Sequence, residues 1–185
     1  MRILVLAGSG LLLASCGSGD TNVDADGDGQ ISSEEMAAAA DRIDKPKPGR
    51  WEVDAEVLEL QIPGMPPEMA SMMEPNFAAM FGGQAYCMTE EEAEAGPEAL
   101  WEDTSGQCEW EKFEVGNGRS ESIANCTDPN GGSVRVEMTG TYSDDAYSAT
   151  NTMTLSMPGG DGLVKVKVDG RHAGACDGSE YDAEG

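Results

Sequence analysis

The carboxylates with the most specific spacing in this chain lie in one stretch near its N-terminus, residues 24–35. The stretch runs Asp-Ala-Asp-Gly-Asp-Gly-Gln-Ile-Ser-Ser-Glu-Glu. Carboxylates at its first, third and fifth positions can converge on one cation, and the last glutamate can offer both of its oxygens. Glycine at the sixth position allows the sharp turn that this convergence needs. Because an all-oxygen set suits a hard divalent ion, the stretch predicts a calcium loop.

The spacing in this loop resembles that of the EF-hand family. The resemblance implies six ligating residues, which are Asp24, Asp26, Asp28, Gln30, Ser32 and Glu35. Gln30 would supply its backbone carbonyl and Ser32 would hold a water molecule. The chain departs from the family because only residues 17–23 separate Cys16 from the loop, which leaves no room for an incoming helix. Without that helix or a second loop we expect weak binding, with a Kd of about 10⁻⁴ to 10⁻³ M. An acidic tether that binds no ion is the alternative interpretation.

A helix and a stiff linker are predicted after the loop. Ser32 and Glu35 have the spacing of a capping box, and the alanine-rich residues 34–43 favour an exit helix. Residues 45–49 contain two prolines, which a helix interior does not tolerate. We therefore place a calcium loop-helix segment at 24–44, a linker at 45–49, a β domain at 50–176 and an acidic, disordered tail at 177–185.

The N-terminus predicts secretion and a lipid anchor. In residues 1–15, Arg2 precedes an apolar run that is too short to span a membrane but typical of a cleaved signal peptide. Residues 13–16, Leu-Ala-Ser-Cys, resemble the lipobox of bacterial lipoproteins. That resemblance implies an acylated Cys16, a lipidated tether at 16–23 and attachment to the periplasmic face of a membrane in the cell envelope. Gly17 in place of an aspartate favours the outer membrane. A plain secretory signal is the alternative.

Net charge excludes one class of partner. The chain carries 35 acidic and 11 basic residues, for a formal charge of −24. Nucleic-acid phosphates repel such a surface, so we predict no nucleic-acid partner, and cations are the natural counter-partners. The chain also has a single histidine and no phosphate-binding loop with its lysine, and its Gly-Ser-Gly stretches at 8–10 and 17–19 lie in the signal peptide and the tether. We therefore predict no catalytic activity, with Ca²⁺ as the bound cofactor.

Most of the chain after the linker predicts antiparallel strands. Residues 51–57 alternate apolar and acidic side chains, and residues 58–62 continue in the opposite phase, which predicts a bulge near Val57. Two equal arms, 108–115 and 119–126, flank Gly116-Asn117-Gly118 and predict a hairpin.

Three further strands are predicted to form a meander. A turn at Asp144-Asp145 would create the cross-strand pairs Tyr142–Tyr147, Val136–Met153 and Val134–Leu155. A turn at 158–161 would create the pairs Leu155–Val164 and Met153–Val166. The fold class is therefore mainly β, an antiparallel meander or a curved sheet or small barrel with two disulfides, preceded by the short calcium loop-helix segment.

Four cysteines remain after Cys16, namely Cys87, Cys108, Cys126 and Cys176. They lack the short paired spacings of a zinc site and suit two disulfides in an oxidising compartment. Counting outward from Asn117 places Cys108 opposite Cys126, which leaves Cys87 for Cys176. The other two connectivities stay open.

The methionine-rich residues 65–81 have several interpretations. Their apolar spacing predicts short helices interrupted at Pro75. The methionines could fill a core, form a pliable lid over a binding site, or offer thioethers to Cu(I).

Residues 47–176 resemble a family of secreted bacterial domains of unknown function. The resemblance rests on short motifs, namely Lys-Pro-Gly before Trp-Glu at 47–52, Ile-Pro-Gly-Met-Pro at 62–66, Tyr-Cys-Met-Thr at 86–89 and Gly-Arg leading to Cys176. It implies a periplasmic β domain with disulfides. The chain is therefore predicted to be a non-catalytic, calcium-binding envelope lipoprotein. The alternative is a lipocalin-like carrier of an apolar ligand in which calcium is only structural.

Overall fold

The computed structural model describes residues 23–41, 43–95, 108–127, 132–157 and 159–180. In chain order its elements are α1 Ser33–Ala40, β1 Gly49–Gln61, α2 Pro67–Phe81, β2 Gln84–Met88, α3 Glu90–Ala95, β3 Cys108–Gly116, β4 Arg119–Thr127, β5 Ser133–Tyr142, β6 Ala146–Met157 and β7 Gly160–Gly174. The strands form one antiparallel sheet in the order β2-β1-β7-β6-β5-β4-β3. This confirms the mainly β, antiparallel prediction. The sheet is open, with β2 and β3 at its edges.

The predicted bulge in β1 is confirmed. The pairing of β1 with β7 shifts register between Val57 and Glu59, so that Val57 faces Val166 and Leu60 faces Val164. The extra residue explains the change of phase in the sequence, because apolar side chains before and after it then reach the same face of the sheet. That face carries the core described below.

The β3–β4 hairpin contains one correction and one confirmed pair. Its turn has two residues rather than three, because Gly116 pairs with Arg119. Asn117 and Gly118 have φ of 53° and 70°, as a two-residue hairpin turn of type I′ requires. A register shift between Trp110 and Lys112 absorbs the displaced residue. Cys108 therefore still lies opposite Cys126, as predicted.

Two registers were predicted for the last three strands, and the structure confirms that of β5 with β6 but not that of β6 with β7. The pairs Tyr142–Tyr147, Val136–Met153 and Val134–Leu155 are confirmed. The next two predicted pairs are wrong, since Met153 faces Val164 and Leu155 faces Gly162. Strands β6 and β7 remain paired as far as Met157 and Gly160, so the turn is tighter than expected. Because a slip of two residues leaves each side chain on its original face, alternation alone could not detect the error.

Helix α2 is continuous, and the predicted interruption at Pro75 is wrong. Pro66 is the N-cap and Pro67 the first helical residue, while Pro75 lies inside the helix. A proline there loses one backbone hydrogen bond and crowds the preceding turn. Packing offsets this cost, because α2 covers a buried group that we name the α2 core, made of Leu60, Ala70, Val164 and Val166. No helix in the described part of the chain combines the length and the apolarity that a membrane span needs.

Both predicted disulfides are present, joining Cys87 to Cys176 and Cys108 to Cys126. The first bridge ties edge strand β2 to the segment that follows β7. Just beyond it, the Arg50 guanidinium donates to Asp177 Oδ1 at 3.1 Å and to Ser179 Oγ at 2.7 Å. The prediction of disorder is therefore wrong for residues 177–180, because the bridge and Arg50 fix them, while residues 181–185 lie outside the described ranges.

Candidate metal centre

The structure brings together three of the predicted ligands. Asp24, Asp26 and Asp28 each offer one oxygen, and these three oxygens lie within 4.8 Å of one another. The chain folds back sharply enough to do this because Gly27 and Gly29 have φ of 73° and 83°, a region that other residues rarely adopt. Like charges at such distances repel in the absence of a cation.

Backbone amides inside the loop hold these carboxylates in position. Asp24 accepts from the N–H of Gly27 at 2.7 Å and from the N–H of Gly29 at 3.1 Å, through different oxygens. The N–H of Asp28 donates to Asp26 at 3.1 Å, and the N–H of Gln30 donates to Asp28 at 2.7 Å. These local turns point the N–H groups of residues 27–30 at the three carboxylates. The loop therefore converges on a common centre through its own backbone.

Glu35 closes the loop from the start of α1. Its Oε1 accepts from the N–H of Ala25 at 2.7 Å, and its Oε2 accepts from the N–H and the hydroxyl of Ser32, both at 2.9 Å. Ser32 Oγ accepts in turn from the N–H of Glu35, which completes the predicted capping box. Glu35 lies outside the group of three aspartates in this arrangement. It joins the first residues of the loop to the last ones, while Gln30 contributes its N–H to Asp28.

Acid is expected to open the loop through Glu35. The pKa of Glu35 lies below its ordinary value of 4.5, chiefly because the backbone N–H of Ser32 donates to the ionised form, followed by that of Ala25. A carboxyl whose pKa is lowered by folding stabilises the fold above its ordinary pKa, and this stabilisation is lost as the pH falls through the folded value. In calcium-free protein, the amide resonances of Ala25 and Ser32 should therefore titrate together with a midpoint below 4.5.

Glu35→Gln should remove this titration, whereas the adjacent Glu34→Gln should leave it in place. A midpoint at or above 4.5 in the unchanged protein would contradict the bonding described here.

Apolar residues on both sides of the loop attach it to the sheet, a feature that the sequence did not reveal. Val23 precedes the first aspartate and Ala39 lies on α1, and both are buried against Phe113 and Val115 of β3. We name these four residues the β3 core. Ile31, within the loop, packs at its margin. An apolar residue directly before the first ligand was the only available signal, and it did not identify the strand that it contacts.

The methionines divide into two groups. Met65 and Met73 pack against the α2 core. Met69, Met72 and Met80 are exposed by 55%, 77% and 76% respectively. Core packing therefore accounts for only some of the methionine-rich stretch.

Comparisons with known proteins identify a family but no activity. The family model described as protein of unknown function (DUF3617) matches residues 46–176, more than half of the chain. No curated protein and no solved structure matches the chain. The matched residues begin after the acidic loop and its helix.

Proposed function

The chain belongs to the DUF3617 family of proteins of unknown function, and we propose from its own acidic loop that it is a non-catalytic, calcium-binding lipoprotein of the cell envelope. In this proposal the loop 24–35 binds one Ca²⁺, and the β domain is the body to which the loop is attached. The matched family residues exclude the loop, so calcium binding is proposed for this chain and is not assigned to the family.

One observation carries the proposal. Three aspartate oxygens lie within 4.8 Å of one another in a loop whose backbone bonds already hold them there. Hard cations such as Ca²⁺ take carboxylate and carbonyl oxygens in flexible numbers, which matches a donor set of Asp24, Asp26 and Asp28. Glu35 would join them by exchanging bonds to Ser32 for the ion. The ion itself would supply positive charge that cancels the repulsion between the carboxylates.

The envelope location rests on the sequence. Residues 1–22 lie outside the described ranges, and with them the predicted signal peptide and Cys16. The two disulfides favour an oxidising compartment, which agrees with a periplasmic domain. We propose acylation of Cys16 as the means of membrane attachment, with the outer membrane as its place.

Calcium titration of the purified full chain tests the proposal directly. Calorimetry should show one saturable site with a Kd of about 10⁻⁴ to 10⁻³ M, and Mg²⁺ should bind much more weakly because it demands stricter geometry. Asp26→Asn and Asp28→Asn are the informative variants, since asparagine keeps the oxygen that accepts the backbone bond and removes only the charge. Each should weaken binding by about tenfold or more, the effect of about 1.4 kcal/mol.

Glu34→Gln is the matched control, because it removes one carboxylate within the loop but none of the proposed ligands. Its titration should equal that of the unchanged chain. Absence of heat at millimolar Ca²⁺, or equal loss in the control, would refute a calcium site.

The alternative of a lipocalin-like carrier has less support. The sheet is open, and Ala70 of α2 and Val166 of β7 are both buried where the helix meets the sheet. Side chains of the α2 core therefore occupy the space in which a carrier would hold its ligand. Repeated detection of one co-purifying lipid by native mass spectrometry would favour the carrier over our proposal.

A further inference from the structure

One side of α2 exposes methionine side chains that belong neither to the calcium loop nor to the core of the sheet. Met69 and Met72 are 55% and 77% exposed. Soluble proteins rarely leave large apolar side chains so exposed in groups, and such groups usually mark a binding site.

Helix α2 turns its phenylalanines toward the sheet and exposes three of its four methionines, Met69, Met72 and Met80. Its sheet side carries Ala70, Phe77 and Phe81, which pack in or against the α2 core. Of the five large apolar side chains that are exposed in the described part of the chain, four are methionine and only Leu58 is not. Leucine is at least as good a helix former and would serve equally well in a purely apolar contact. The preference for methionine at outward positions therefore points to the thioether itself.

The spacing brings three thioethers into one group. Met72 and Met73 stand three and four positions after Met69, so on a helix the Cβ atom of each lies about 5 to 6 Å from that of Met69. Met73 is partly buried against the α2 core and is thereby anchored, whereas the other two side chains are exposed. Long, unbranched thioethers can close on a common centre from such positions. Soft sulfur ligands select Cu(I) among biological metals.

Charge favours a cation over other occupants of this surface. The charged residues of α2 are Glu68 and Glu74, and the helix has no basic residue. The whole chain carries a formal charge of −24. An anionic lipid surface would therefore be repelled, while a positive ion would be attracted.

We propose that Met69, Met72 and Met73 form a thioether site for a soft monovalent cation, copper(I), on α2, at the border between its exposed side and the side that packs on the α2 core. The site is independent of the calcium loop, because thioethers bind hard Ca²⁺ poorly and carboxylates are poor ligands for Cu(I).

Silver(I) is the probe for this proposal, because it has the charge and softness of copper(I) and needs no reductant. The full chain, labelled with ¹³C in its methionine methyl groups, is titrated with silver nitrate in chloride-free buffer. The methyl signals of Met69, Met72 and Met73 should move together and stop moving at one equivalent. Excess Ca²⁺ should leave these shifts unchanged.

Leucine substitutions distinguish binding by the thioether sulfur from binding by an apolar surface. The double variant Met69→Leu with Met72→Leu keeps side-chain volume and helix propensity, and far-UV dichroism should be unchanged. Its silver affinity should fall by more than about 10- to 100-fold, because substitution of residues that only support the ligands of a metal already costs that much. Met157→Leu removes an exposed methionine elsewhere and should have no effect. Equal shifts at Met157 and the three α2 methionines, or affinity retained in the double variant, would overturn the proposal.

Discussion

Saturating calcium is expected to raise the melting temperature of the whole β domain by about 5 to 11 °C. An ion that binds only the folded chain, at about 100 times its Kd, stabilises it by about 2.7 kcal/mol. Each kcal/mol moves the melting temperature of a domain of this size by about 2 to 4 °C. Differential scanning calorimetry in about 10 mM Ca²⁺ and in chelator measures this shift, given a Kd near 10⁻⁴ M.

The loop can transmit this stabilisation because it is packed on the sheet. Val23 and Ala39 are only 3% and 1% exposed, and they cover Phe113 and Val115 of β3. Opening the loop would return these apolar surfaces to water, at a cost of about 25 cal/mol per Å². The loop and the edge of the sheet therefore form one cooperative unit. An isolated tether would bind calcium without moving the melting transition of the sheet.

Val23→Ser tests the coupling separately from the binding. It weakens the contact with the β3 core and leaves every proposed ligand in place. Calcium should still bind in a titration, but the rise in melting temperature should become clearly smaller. Asp26→Asn should remove most of both effects. If Val23→Ser shows the same rise as the unchanged chain, the β3 core does not carry the coupling, although calcium binding would stand.

Removal of the Cys87–Cys176 bridge is expected to cost about 4 to 5 kcal/mol, and removal of Cys108–Cys126 about 3 kcal/mol. The bridges join residues 89 and 18 positions apart, and a longer closed loop restricts the unfolded chain more. Because small domains are stable by only about 5 to 15 kcal/mol, the first loss is a large share of the total. Urea unfolding of Cys87→Ser with Cys176→Ser, beside Cys108→Ser with Cys126→Ser, measures both losses.

The two double variants are controls for each other, because each removes one bridge from the same sheet. Removal of the Cys87–Cys176 bridge should lower the urea midpoint more than removal of the Cys108–Cys126 bridge. A chain that does not fold without this bridge at ordinary temperature also agrees with the prediction if the other variant folds. The reverse order would contradict it and would indicate that strain or residual structure dominates over loop length.

Local chemistry predicted much of the loop and the strands. The capping box of Ser32 and Glu35, the bulge in β1 and the Cys108–Cys126 pair all depend on spacing over a few residues. The hairpin shows the limit of such reasoning, because the predicted pair was correct although the turn was one residue shorter. An unpredicted register shift after Trp110 compensated for the difference. The β6–β7 register failed because alternation cannot distinguish slips of two residues.

Long-range packing could not be predicted in the same way. Pro75 argued for a break in α2, yet burial against the α2 core keeps the helix continuous. The contact between Val23 and β3 depends on β3 being an edge strand, which follows from the order of the whole sheet. No local pattern contains that order. The same packing divided the methionines into buried and exposed groups, a division that their helical spacing suggested only in part.

Burial of Val23 against β3 limits the distance between the sheet and any lipid on Cys16. The two residues are 7 positions apart, and an extended chain spans at most about 3.6 Å per residue, so Val23, which packs on β3, would lie within about 25 Å of Cys16. Edge strand β2 is six strands away across the sheet, about 29 Å at 4.8 Å per strand. In an acylated chain the tether would therefore keep the β3 edge and the acidic loop closer to the headgroups than it keeps the β2 edge.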